Sequence, residues 1–272
     1  EVDASGREVG SASELTNTRP SPGSNIQTTI DLNLQMYCEK LMVNRKGVIL
    51  VGQPESGGIL VAVSSPDYPP DFFTGLITES DWENLKNNPD KPLMNRYLQG
   101  KYIPGSIVKM ITQVTLLNSE KFNSDMKQYC PGFYQFGDRI FGCWFTEGHG
   151  EISLTEAISV SCDVFFYKTI KQIKLNTLYN SFKQFGFGLK TRIDIPNESS
   201  GLVPDNDYML KRYGKYGWSQ GVLLNLAIGQ GELLVTPIQV LNYVNLLATK
   251  GTSPSCHFVF VDNLPNNVKP VL

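Results

Sequence analysis

Apolar residues first fall into a regular period after Asp31, a residue type suited to capping a helix. Leu34, Cys38, Leu41 and Met42 follow it at helical spacing. Upstream, residues 1–27 are rich in Gly, Ser, Thr, Pro and Asn with no apolar period, and they read as a linker or the remnant of a preceding domain. Val48-Ile49-Leu50-Val51 and Ile59-Leu60-Val61-Ala62-Val63 flank a turn-rich stretch holding Gly57-Gly58, which predicts a hairpin. Both runs are apolar on each face, so this sheet is expected to be covered on both sides. From 64 to 105 the chain is punctuated by Pro66, Pro69, Pro70, Pro89, Pro92 and Pro104 and reads as loops. Ile107, Met110, Ile111 and Val114 then mark one face of a helix starting just after Pro104-Gly105.

Residues 120–150 show no period and read as irregular. Ser153-Leu154-Thr155-Glu156 is a capping-box pattern, and helical character runs from Val164 to Ile173 and again over 175–184. Thr236-Pro237 opens a last apolar helix through Ile238, Leu241, Val244 and Leu247, before a strand-like run at Phe258-Val259-Phe260-Val261. Strands and helices segregate rather than alternate, which predicts an α+β fold.

Composition narrows the function classes. The 272 residues suit one large domain or two small ones, and 24 Lys+Arg against 26 Asp+Glu leave a net charge of −2. That charge carries no basic footprint, so nucleic acid is not an expected partner. No apolar run approaches the roughly 20 residues of a membrane span. Five Cys are too few for a disulfide scaffold, and an odd number leaves at least one unpaired.

Candidate chemistry begins at Ser106-Ile107-Val108-Lys109, an S-x-x-K pattern that a helix would place on one face. A serine hydroxyl is a weak nucleophile until a neighbour takes its proton. A lysine can do so only when neutral, and since lysines titrate near about 10.4, neutrality at pH 7 takes roughly 4 kcal/mol of environmental help. Burial at a helix start near another cation supplies such help. The pattern alone is not specific, because Ser124-Asp125-Met126-Lys127 matches it too. The 124 stretch is polar with an acidic neighbour, whereas the 106 stretch opens an apolar helix that should bury both side chains.

Tyr102-Ile103-Pro104-Gly105-Ser106-Ile107-Val108-Lys109 resembles the Y-x-P-G-S-x-x-K segment of class B penicillin-binding proteins, the D,D-transpeptidases of peptidoglycan synthesis. Thr28 to Gln35 is similar to the start of that family's transpeptidase domain, and Gly57 to Tyr68 to its first hairpin. Ala227-Ile228-Gly229-Gln230-Gly231 with Val235 to Gln239 resembles its late helix. Asn95-Arg96, Gly148-His149-Gly150 and Ser161 to Tyr167 resemble the elongation subfamily, penicillin-binding protein 2. The resemblance implies an antiparallel sheet flanked by helices, the penicillin-binding and β-lactamase-like fold. It implies a partial transpeptidase domain over 28–272, with 1–27 as linker or remnant of a pedestal domain.

Ser161-Cys162-Asp163 takes the family's S-x-N position in S-x-D form. A second hydroxyl there can relay a proton to the leaving amine, with Asp163 orienting that hydroxyl or the substrate amide. Read without the resemblance, Ser161 is an inter-helix cap, and Ser65-Pro66-Asp67 spells the same pattern. The family's third motif, K-[ST]-G, is missing: Lys190-Thr191-Arg192 lacks the glycine and Lys250-Gly251-Thr252 has the wrong order. The expectation is a chain cut before the strand that carries it. Such a strand also supplies an oxyanion-hole donor, whose loss typically costs about 100–1000-fold in rate.

Cys130, Cys143, His149 and Cys162 gather in one short window and form a Cys₃His set suited to structural zinc. Their spacings are wider than the close pairs of zinc fingers. Relatives in the elongation subfamily hold a metal from matching positions, with Asp or Cys at the first two. A Cys130–Cys143 disulfide and unrelated buried thiols are the competing readings. Cys38 reads as core, Cys256-His257 as a fortuitous pair, and Phe165-Phe166-Tyr167 as packing. Tyr68 and Trp218 are candidates for lining a substrate groove.

The resulting expectation is a serine acyl-transferase, with Ser106 as nucleophile, Lys109 as base, and Ser161 and Asp163 assisting. Stem peptides of peptidoglycan would be substrates and β-lactams would acylate Ser106. No cofactor is needed for the chemistry. The resemblance further implies an anchor in the inner membrane with the domain on its periplasmic face, and a glycan polymerase and rod-shape scaffold as partners. Alternatives are a β-lactamase or β-lactam sensor on the same fold, and a non-catalytic fragment binding partners or glycan.

Overall fold

The computed structural model describes residues 7, 23–215 and 217–260. Most of the expected linker lies outside the described residues, as does Val261. In chain order the elements are α1 (Leu32–Leu41), β1 (Gly47–Gly52), β2 (Ile59–Ser65), α2 (Glu79–Lys86) and α3 (Arg96–Gln99). A 3-10 turn (Gly105–Val108) runs into α4 (Lys109–Leu117), then β3 (Gln128–Cys130), β4 (Phe133–Phe136), β5 (Arg139–Gly142) and β6 (Gly150–Ile152). Helices α5 (Leu154–Ser159), α6 (Asp163–Ile170), α7 (Leu175–Gln184), α8 (Asn206–Tyr213), α9 (Gln220–Ala227) and α10 (Pro237–Ala248) complete the order.

All strand pairs among the described residues are antiparallel, β1 with β2, β3 with β6 and β4 with β5, giving the expected α+β class. The predicted hairpin forms with Gly47 opposite Ser65. Both of its faces are covered. Cys38 of α1 packs on Val61 and Val63, while Leu50 and Ala62 meet Leu98 of α3 and Ile238 of α10. Cys38 is therefore core, as its place in the helical period indicated.

Local chemistry starts several helices where the sequence placed them. Asp31 accepts the Leu34 N–H at 3.0 Å, and Ser153 with Glu156 and Thr236 with Gln239 each close a reciprocal capping box. Residues 64–105 are dominated by loops, as expected, and between them hold α2 and α3, capped by Thr78 and Asn95, neither with enough apolar residues to show a period. One expectation is corrected: residues 120–150 carry β3 to β6, each only three or four residues long, too short for alternation to register.

The main core lies among α4, α6, α7 and α9, with Ile111, Phe165, Phe166, Phe182 and Leu224 fully or almost fully buried. Phe165 to Tyr167 are thus packing residues. This core is the floor on which α4 and α6 set their N-terminal ends side by side. No helix among the described residues is long and apolar enough to cross a membrane.

Candidate active site

The Ser106 segment is fixed by a distant part of the chain. Tyr102 and Val235 exchange backbone hydrogen bonds at 2.9 Å in both directions, and the Gly105 N–H donates to the Gly229 carbonyl at 2.9 Å. Thr112 donates its hydroxyl proton to the Ala227 carbonyl at 2.8 Å, and the Tyr243 hydroxyl donates to Ile107 at 3.0 Å. Gly229 has φ +73°, and a Cβ there would stand 2.1 Å from the Gly105 oxygen, so only glycine allows this approach. The A-I-G-Q-G stretch is therefore the cradle of the Ser106 turn. Its mark in the sequence is a glycine pair beside an apolar helix, which carries no hint of that role.

Ser106 itself is exposed, while Lys109, one turn on, is 2% exposed. The expectation that both are buried is corrected for the serine, because the segment enters the core only at Val108. Lys109 Nζ donates to the Ser161 carbonyl at 2.7 Å, to Ser161 Oγ at 3.0 Å and to Asp163 Oδ1 at 2.6 Å. It also lies 5.9 Å from the centroid of the Phe166 ring. The ion pair with Asp163 is nearly dry, with side chains 2% and 12% exposed. Lys109 thus spends its hydrogen bonds on the S-x-D turn rather than on Ser106.

Ser161 stands between α5 and α6 in the left-handed region, φ 52°. The cap of α6 is its neighbour Cys162, whose sulfur accepts from the Phe165 N–H at 3.4 Å. The bland reading of Ser161 as a helix cap is thereby displaced by one residue, and its hydroxyl is left facing Lys109. The remaining oxygen of Asp163 accepts the backbone N–H of Trp144 at 3.1 Å. Of the four residues singled out in the two motifs, Lys109, Ser161 and Asp163 are joined by hydrogen bonds, while Ser106 stands exposed on the 3-10 turn three residues before Lys109. The decoys do not join them: Ser124 and Lys127 are exposed in a loop, and Ser65-Pro66-Asp67 ends β2. Lys190-Thr191-Arg192 lies in the loop bonded to Glu198, and Lys250-Gly251-Thr252 follows α10.

Cys130, Cys143, His149 and Cys162 also converge, with all four donor atoms within 4.8 Å of one another. His149 Nδ1 is 3.6 Å from the sulfurs of both Cys130 and Cys143, and Cys143 Sγ is 4.0 Å from Cys162 Sγ. These are too long for strong hydrogen bonds. Tetrahedral zinc separates a nitrogen and a sulfur ligand by about 3.6 Å and two sulfurs by about 3.8 Å. The donor set therefore fits that ion. All three cysteines are free thiols, so the disulfide reading is not realised here. Burial pushes the Cys162 thiol up, and the neighbouring Cys130 and Cys143 add to it. Burial also acts to raise Cys143, but hydrogen bonds with the backbone of Phe145, Asp163 and Val164 outweigh it and hold that thiol below its usual value. The His149 Nε2 atom is buried without a hydrogen-bond partner.

Tyr68 lies edge-on against Phe73, with ring centroids 5.2 Å apart, in the lining of a cavity it shares with Pro92 and Tyr97, and Trp218 packs against the main core. Cys256 is buried beside Asn245, its thiol pushed up to about 12 by burial, and His257 lends its backbone to Gly57 and Ile59.

With this geometry in view, the chain was compared with known proteins. Residues 47–271 match the family model "Penicillin binding protein transpeptidase domain". The chain is 34% identical over 253 residues to the peptidoglycan D,D-transpeptidase MrdA of Escherichia coli, covering 92% of this chain and 39% of that protein. Among solved structures it resembles the PBP2–MreC complex of Helicobacter pylori, with TM-score 0.85, 38% identity, and 97% of this chain against 49% of that one. PBP2 of Pseudomonas aeruginosa, solved in complex with WCK 5153, gives TM-score 0.85 and 33% identity over 94% of this chain and 57% of that one. The chain spans about two fifths of the curated relative it matches. Because the family model covers residues 47–271, most of the length, the chain belongs to the penicillin-binding protein transpeptidase domain family.

Proposed function

We propose that this domain performs the acyl-transfer chemistry of a peptidoglycan D,D-transpeptidase. The observation that carries the reading is the Lys109 ammonium, buried and bonded to Ser161 Oγ, one turn from the exposed hydroxyl of Ser106. Lys109 first gives a proton to Asp163 Oδ1, directly or through Ser161 Oγ. The neutral amine then takes the Ser106 proton as Ser106 Oγ attacks the carbonyl of the penultimate D-Ala of a stem peptide. Ser161 then delivers a proton to the departing D-Ala amine as the C–N bond breaks. A second peptide's amine attacks the ester and releases Ser106, forming the cross-link. β-Lactams acylate Ser106 by the same attack.

Zinc in the Cys130, Cys143, His149 and Cys162 cluster deepens this reading. When bound it supplies structural cross-linking, not reactivity. It ties the loop at 130–150 to Cys162, between Ser161 and Asp163. Metal analysis of the purified protein should give about one zinc per chain, and a ratio near zero would remove the assignment.

Relatives support a setting for the whole protein. One of Helicobacter pylori was solved with MreC, which supports a rod-shape scaffold as partner class. A similar structure is a peptidoglycan synthase complex coordinating polymerization and crosslinking, which supports a glycan polymerase as the other. The domain belongs on the periplasmic face of the inner membrane, where its substrate is made.

Labelling with a fluorescent penicillin tests the chemistry. A long-lived adduct lost in Ser106→Ala supports the transpeptidase, rapid turnover favours a β-lactamase, and no adduct on the unaltered protein favours a non-catalytic role.

A further inference from the structure

Trp144 is held in a way that packing does not explain. Its side chain is 63% exposed, so it adds little to the core. Yet both of its N–H groups are committed. The indole Nε1–H donates to the Val160 carbonyl at 2.9 Å, and the backbone N–H donates to Asp163 Oδ2 at 3.1 Å. These two acceptors bracket Ser161 on either side. On its other flank Trp144 follows Cys143, and its ring lies 5.6 Å from the His149 ring. One residue therefore spans from the Cys/His loop to the turn that faces Lys109.

We propose that Trp144 is a positioning residue, a two-point clasp that presses the Ser161–Asp163 turn onto Lys109. The proposal rests on the reading of Lys109 and Ser161 as acyl-transfer groups. The turn needs such a clasp, because Ser161 holds a left-handed conformation that a side-chain-bearing residue adopts at a cost. Asp163 must also keep one oxygen on Lys109 while the other is satisfied elsewhere. The Trp144 N–H is that second partner, and it holds the plane of the carboxylate toward the lysine. The indole bond adds the lateral restraint, holding the chain just before Ser161.

Trp144→Phe tests this, since it keeps an aromatic ring and the backbone N–H but deletes the indole donor. Lysine reactivity is read by acetylation and mass spectrometry on the full chain, with Lys183 as the internal reference because it is bonded to the Gly188 carbonyl away from the site. Removing one hydrogen bond should open the turn about fivefold more often, and Lys109 labelling should rise by that factor while Lys183 stays constant. The rate of penicillin acylation should fall by a similar factor, with the fraction of protein finally labelled unchanged. Equal rises at both lysines would mean a merely loosened fold and would overturn the proposal, as would no change at Lys109. Hydrogen exchange of the indole N–H in the unaltered protein gives a second measurement that needs no variant. Protection of this N–H is expected despite the exposed ring, and free exchange would sink the clasp. A penicillin adduct that survives Ser106→Ala would refute the catalytic reading and leave the lysine-labelling result standing.

Discussion

Ser106 to Lys109 and Ser124 to Lys127 spell one pattern in two settings. In the first, the lysine enters a core floor and meets Ser161 and Asp163, and the serine sits on a turn fixed by residues 227–243. In the second, the lysine is 57% exposed and stands 3.9 Å from a Glu151 that is itself 69% exposed. A charge pair in water at that range contributes little, and no element positions its serine. The shared serine and lysine do not make the difference. It lies in the apolar Ile107-Val108 pair, of which Val108 enters the core, and in burial and long-range partners.

The largest effect expected from breaking this contrast comes at the hydroxyls. Ser106→Ala should abolish the covalent penicillin adduct seen by mass spectrometry, and Ser124→Ala should leave it intact. Next come the lysines. Lys109→Met strands the Asp163 carboxylate in a nearly dry site and should cost on the order of 3 kcal/mol in denaturant unfolding. Lys127→Met should stay within about 0.5 kcal/mol. Equal losses at the two lysines would erase the contrast.

Gly229→Ala sharpens it from the cradle side. Left-handed backbone costs an ordinary residue roughly 1–2 kcal/mol, and the overlap with Gly105 adds to that. Displacing the Ser106 turn by about an ångström should slow acylation by about 100-fold, well beyond what the stability loss explains. Stopped-flow acylation beside a thermal melt separates the two.

The smallest effect lies at the start of α5, which leads to Ser161. Hydrogen bonds from the Ser153 backbone and hydroxyl hold the Glu156 carboxyl below its ordinary value. A depressed carboxyl contributes stability above the ordinary glutamate range and loses it as pH falls through the lowered value. Ser153→Ala should lower the melting temperature at neutral pH. The gap between the two proteins should narrow as pH falls through that range without closing, since the hydroxyl's bond from the Glu156 N–H does not titrate. A constant gap at all pH would contradict the role of the charge.

The sequence made local chemistry legible. Asp31, Ser153 and Thr236 announce helix starts because capping is decided within four residues, and the β1–β2 hairpin shows because its runs are apolar. The strands β3 to β6 escaped because they are too short for a period and are held by their partners. At the site, the family motifs singled out Ser106, Lys109, Ser161 and Asp163, and the clustering of Cys and His in the chain singled out four donors that the fold does bring together. What they could not convey is that Lys109 turns to Ser161, a partner 52 residues away, or that Trp144 joins the cluster to Asp163. Those facts depend on how separate elements dock.

The cradle of the Ser106 turn has a consequence for the order in which reactivity arises. Thr112 and Tyr243 reach partners 115 and 136 residues distant, so the turn is closed by chain synthesised long after the serine itself. A nascent chain that has exposed Ser106 but not yet made α10 holds a hydroxyl on an unfastened loop. The turn that carries Ser106 is thus among the last parts of the domain to be fastened as the chain is made.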